Sequence, residues 1–178
     1  MSSFIALAIV VHLSNVANVP AAVLADAKAQ VVRMFDDVDV SIQWAPPAPS
    51  TTYVVDRGDV IRLHVIEHET GDLRRRSDPV LGAAMRTDLG TRVAWVFYRR
   101  VESEALAHAV RVATVLACAI AHEIGHLLLP THEHALSGLM RACWDDADFQ
   151  RAARGTLRFS ADDRERMRSS VGDARGMQ

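Results

Sequence analysis

Apolar and polar positions alternate along the chain in a way that separates strand-like from helical stretches. Phe4 to Val11, FIALAIVV, is an almost continuous apolar run followed by turn-like residues from Asn15 to Pro20, the pattern of a buried strand. From Pro20 to Phe35 the period becomes helical, with Val23, Leu24, Ala27, Val31 and Phe35 on one stripe and a proline suited to a first helical turn. Val38 to Trp44 and Val60 to Ile66 alternate with period two and read as the second and third strands, and Ala45 to Thr52, with three prolines, follows the second as a loop. Glu67 to Asp78 is polar and reads as an exposed loop, which Leu81 to Gly90 continues across the surface. Arg92 to Tyr98, rich in aromatic and β-branched residues, is the fourth strand.

From Glu102 to about Leu129 the pattern predicts one long helical stretch. Its inner part, Val112 to Ala121, is apolar on nearly every face and so belongs in the core. Pro130 ends it, because proline has no amide to donate. A further helix begins near Asp145, and Ser160 to Val171 reads as a helix capped by Ser160 with Asp163 three residues on. The expected architecture is α+β: a single domain over residues 1–178, with a mixed twisted sheet of four or five strands packed on a central helix.

Composition narrows the function classes. With 178 residues, 49% of them hydrophobic and 24% charged, the chain can bury a core without disulfides. A net charge of −2 with scattered basic residues gives no footprint for nucleic acid. The first apolar run lacks a preceding positive charge and a small-residue cleavage site, so it does not read as a signal peptide; the chain is expected to be cytoplasmic or a mature secreted form. That run is also far shorter than the roughly 20 residues of a membrane span, and none is expected. Cys118 and Cys143 lack metal-site spacing; Cys118 reads as a small buried residue, and Cys143 lies near the candidate chemistry.

That chemistry lies at the end of the core helix. His122-Glu123-Ile124-Gly125-His126 places two imidazoles four residues apart on one helical face, about 6 Å of rise, where both can reach one ion. The carboxylate of Glu123 can act on a water held by that ion. A catalytic zinc site needs three protein ligands and an open position, and His132 or His134, just past Pro130, can supply the third. Three polar groups buried at the end of an apolar helix would be costly without a partner, which weighs against purely structural histidines. His64 and His68 are also four apart, but on a strand-like segment that spacing gives no shared face, and they read as solvent-facing or structural.

The stretch from His122 to Met140 resembles the zinc-binding region of the metzincin metalloproteases, whose signature is H-E-x-x-H-x-x-G-x-x-H followed by a methionine turn. It is similar, too, to uncharacterised bacterial proteins with zinc helices of the HELGHLLL type. The resemblance implies one Zn2+ held by His122, His126 and His132, Glu123 as general base, and Met140 in the turn beneath the metal. It also implies a zincin-like fold, a peptide or protein substrate, and pairing of that substrate with an edge strand, which would be Arg92 to Tyr98. Two features depart from the pattern. Leu129 stands where the family has the glycine that turns sharply, and Pro130 follows it, a combination that can present His134 instead of His132. The third histidine also lies closer to Met140 than is usual.

The resulting expectation is a zinc-dependent peptidase in which Glu123 moves the proton of an attacking water, with Tyr98 or an arginine helping to stabilise developing negative charge. Two other readings share the ion: a zinc-containing binding protein without turnover, and a zinc hydrolase of a non-peptide bond. A thermolysin-like arrangement would take its third ligand from Asp146, although acidic residues in a first helical turn ordinarily serve capping and the helix dipole.

Overall fold

The computed structural model describes residues 7–47, 60–69, 80–87, 90–131 and 133–176, with side chains described over 8–169 of these. The elements are β1 (Leu7–Asn15), α1 (Ala21–Asp36), β2 (Val40–Ala45), β3 (Val60–Ile66), β4 (Gly82–Arg86), β5 (Arg92–Phe97), α2 (Tyr98–Ala107), α3 (Val112–Leu128), α4 (Asp146–Ala153) and α5 (Ala161–Gly176). The strands form one mixed sheet in the order β2-β1-β3-β5-β4, parallel except for β4, which runs antiparallel to β5. The sequence alternation survives as burial: Ile61, Leu63 and Val65 of β3 are fully buried, while Arg62, His64 and Ile66 between them are partly exposed. Ile9, Val11 and Leu13 of β1 point into the same core, which α1 and α3 cover side by side. Ala27, Val31 and Phe35, from the stripe expected on α1, are buried there; Val23 and Leu24 pack at its margin.

Several boundaries move for identifiable reasons. β1 runs on past the apolar stretch to Asn15, and Phe4 to Ala6 lie outside the described residues. β2 starts at Val40 because Asp39 takes a left-handed conformation, with φ 59°, that turns the chain out of α1. Leu81 to Gly90, expected as loop, instead contains β4, because Gly82 to Arg86 pair antiparallel with Val96 to Arg92. Its small residues carry no alternating apolar signal; the strand is made by its neighbour's backbone. A second correction follows. β5 is paired on both sides, so among the described residues the sheet edge on this side is β4 and not Arg92 to Tyr98, and Tyr98 itself opens α2.

The long helix expected from Glu102 is two helices. Val110 N–H bonds to the Ala105 carbonyl at 2.9 Å and Ala109 N–H to that of Leu106 at 3.3 Å, while Ala109 sits at φ 53°. This is the Schellman arrangement, which ordinarily uses glycine at the left-handed position. Here an alanine occupies it, and Val110 and Ala105 are buried beside each other, so the apolar contact holds the turn without the sequence marker. Ala109→Gly is therefore expected to stabilise the fold by about 0.5–1 kcal/mol, the left-handed strain relieved less the extra unfolded-state entropy of glycine. The check is the urea midpoint, and a fall in it would show that Ala109 is not strained.

Candidate metal centre

α3 carries the candidate residues out of the deepest part of the core. All its residues from Ala113 to Leu128 are buried except His122, which is partly exposed. The helix stops at Leu129, whose φ of −72° and ψ of 145° are extended, as a residue before proline favours. The left-handed glycine turn is thus replaced by an extended exit. Arg86 of β4 reaches the end of the helix, where its Nη2 donates to the carbonyls of Leu127 at 2.5 Å and Leu129 at 2.9 Å. A guanidinium suits the negative end of a helix dipole, and it ties the edge strand to the helix at that end.

Three imidazoles converge beside this exit. One ring nitrogen from each of His122, His126 and His134 lies within 4.8 Å of the others, so the three can hold a metal ion. The Nε2 atoms of His122 and His126 approach to 3.0 Å, and the His134 ring lies 5.4 and 4.8 Å from theirs. His132, the other candidate for the third position, lies outside the described residues. Nδ1 of His122 donates to the Leu139 carbonyl at 2.8 Å, which fixes the tautomer and leaves the Nε2 lone pair facing the cluster. The same carbonyl accepts Nε1–H of Trp144 at 3.2 Å, and the indole packs edge-on to the His122 ring at 5.9 Å. Glu123, on the same helical turn, is 5% exposed.

The segment behind the cluster explains two glycines and the methionine. A Cβ on Gly125 would stand 2.5 Å from Sδ of Met140, so the glycine in the pentad lets the buried methionine press against the helix from below. Met140 belongs to the turn that supplies Leu139; its carbonyl accepts Ala135 N–H at 2.9 Å, closing the loop that carries His134. Gly138 takes φ 81°, and any Cβ there would meet the Arg158 carbonyl at 2.7 Å, so the turn requires glycine.

A cleft of about 680 Å³ opens over the three histidines and Glu123, with β4 along one side and Arg141 to Trp144 along the other. Sequence reasoning missed this wall, because β4 had no strand signal. Gly82 shows how close it comes: a Cβ there would lie 2.7 Å from Cγ of Glu123. Tyr98 does not reach the cleft; it lines a separate hollow with Asn18, Glu67 and Arg99. Arg86 and Arg141 do line it, but Arg86 serves the helix end and Arg141 binds Asp145 at 2.5 Å and Asp148 at 2.6 Å. Asp146 stands away from the cluster, exposed and paired with His108 at 2.9 Å, while Asp145 and Asp148 form a capping box at the start of α4. Cys118 is buried and Cys143 exposed; both are free thiols. His64 stacks on Trp95 at 6.2 Å, and His68 lies 4.0 Å from Glu67 on the surface. Among the described residues no helix is long and apolar enough to cross a membrane.

Burial pushes the His122 imidazole down from 6.5 to about 4, although its bond to Leu139 works the other way, and burial lowers His134 as well. Both rings are thereby held in the neutral form that a metal ligand requires. In metal-free protein the unfolded chain takes up a proton at His122 below pH 6.5, whereas the folded chain does so only near pH 4. Stability contributed by the neutral ring is complete above 6.5 and lost as the pH falls toward 4. Asp145, which Arg141 holds down at about 2, titrates below that window. Urea midpoints in chelator are expected to drop between pH 6.5 and 4 in the natural protein and to vary less in His122→Gln; equal slopes would show that His122 is not held neutral.

No protein-family model and no curated protein matches the chain. Among solved structures 26 chains match. One, from a structure entitled "GM1 bound form of the ECX AB5 holotoxin", superposes at a TM-score of 0.52 over 92% of this chain and 80% of that one, at 13% identity. At that identity the likeness is one of fold.

Proposed function

We propose that residues 1–178 form a single zincin-like catalytic domain and that the protein is a zinc-dependent metallopeptidase of the metzincin kind. The observation that carries this reading is the convergence of His122, His126 and His134 beside the buried Glu123, under an edge strand and above a methionine turn. Three imidazoles with no thiolate among them suit zinc in a site with an open position. His134 is the third ligand in this proposal. The extended exit through Leu129 and Pro130, with no left-handed glycine, and the Ala135–Met140 bond both favour it.

Zinc, when bound there, supplies Lewis acidity and brings a coordinated water to a pKa of about 7. Glu123 receives the proton of the attacking water on its carboxylate and delivers it to the nitrogen of the leaving amine. Its burial beneath Gly82 keeps competing solvent away and the carboxylate in one place. β4, at the edge of the sheet among the described residues, is the strand along which an extended peptide would pair, and the cleft floor would then present that peptide to the histidines. Leu139 holds the His122 ring at the correct tautomer throughout.

Protein purified without added metal is expected to contain about one zinc per chain and to cleave peptides. Glu123→Gln should retain the zinc and lose at least about 10²-fold in kcat/KM, the usual scale of a general base. Elemental analysis together with cleavage of an unbiased peptide pool checks both; absence of zinc, or full activity in Glu123→Gln, contradicts the proposal.

A further inference from the structure

The cleft does not end at the histidines. Its lining includes Glu104 of α2 and Phe149 of α4, together with Leu81 and Ala119, and none of these has a part in holding a metal or moving a proton. Ala119 lies four residues before Glu123 on α3, on the same face, and its small side chain leaves room along the helix. Phe149 and Trp144 meet edge-on at 6.0 Å and give this region aromatic walls. Glu104 is the acidic group among them.

Glu104 is held in place. His108, one turn later at the C-cap of α2, lies 3.2 Å from its Oε2 and 2.9 Å from Oδ1 of Asp146. The imidazole stacks flat on Phe149, with centroids 3.8 Å apart and 9° between planes. One imidazole between two carboxylates cannot cancel both, so the group keeps at least one negative charge even with His108 protonated. The cations nearby are committed: Arg141 to Asp145 and Asp148, Arg86 to the end of α3, and Arg100 to Glu69 and the Val80 carbonyl. The region therefore offers apolar walls and a fixed negative charge, which complements a side chain with an aliphatic stem and a cationic head.

We propose that this part of the cleft is a subsite for an arginine or lysine side chain of the substrate, with Glu104 as the residue that selects it. The inference rests on the peptidase reading and adds the substrate class: peptides with a basic residue next to the scissile bond. His108 and Phe149 act as positioning residues for Glu104.

The test uses zinc-loaded full-length protein and peptides that differ only in arginine, lysine, norleucine or glutamate at the residues flanking the cleaved bond. The natural protein is expected to prefer arginine over norleucine in kcat/KM by at least about tenfold, the scale of one charge-assisted hydrogen bond, and to reject glutamate. Glu104→Gln should bring the arginine-to-norleucine ratio close to one. Cleavage without a basic preference, or a preference that survives Glu104→Gln, overturns this proposal and leaves the peptidase reading intact. Peptide binding to Glu123→Gln, followed by tryptophan fluorescence, separates the converse case. If that protein binds the arginine peptide at least about tenfold more tightly than the norleucine one, and Glu104→Gln abolishes the difference, the subsite stands even if no peptide is cleaved. The comparison of peptides on the natural protein needs no variant, so misfolding of Glu104→Gln would not shield the proposal.

Discussion

The carbonyl oxygen of Leu139 accepts hydrogen bonds from the His122 imidazole and the Trp144 indole, and the geometry of the whole centre depends on that one acceptor. Without it the Nδ1–H of His122 would be left unsatisfied at the edge of an apolar core, at a cost of about 1–3 kcal/mol. With it the ring has one tautomer and one orientation. Leu139 is itself fixed, because its N–H donates to the Arg158 carbonyl at 2.8 Å and its neighbour Gly138 turns at a φ no other residue adopts comfortably. The hydrogen bond thus joins the core helix to a turn seventeen residues later in the chain and through it to the start of α5.

Close approach is the second constraint. α3 is gripped from below by Met140, which fits only because residue 125 has no side chain, and from above by β4, which fits only because residue 82 has none. Arg86 secures the far end of the same strand to the helix terminus. These contacts hold Glu123 and the histidines on rigid elements while leaving one side open as a cleft.

The parts of this arrangement that were legible in the sequence are those written in periodicity and in one motif. The alternation in Val60 to Ile66 and the stripe from Val23 to Phe35 are local signals, and both elements form where they predict, with Val23 and Leu24 at the margin of the core. The pentad set His122, Glu123 and His126 on one helix by spacing alone. What escaped was made by distant partners. β4 is a strand because β5 pairs with it, so the identity of the edge strand was misplaced. The break after α2 uses an alanine where glycine is the usual marker, so two helices looked like one. Tyr98 was expected to help stabilise negative charge at the site, yet it opens α2 and lines a separate hollow. Glu104 gave no signal at all, since an acidic residue on a surface helix has no pattern to distinguish it.

Zinc K-edge X-ray absorption on the purified protein counts and identifies the atoms around the ion. If His134 is the third ligand, the spectrum shows three imidazole nitrogens and one further light atom at about 2.0–2.1 Å, falling to two imidazoles in His134→Ala. A sulfur scatterer at about 2.3 Å, or an unchanged imidazole count in His134→Ala, would contradict that assignment.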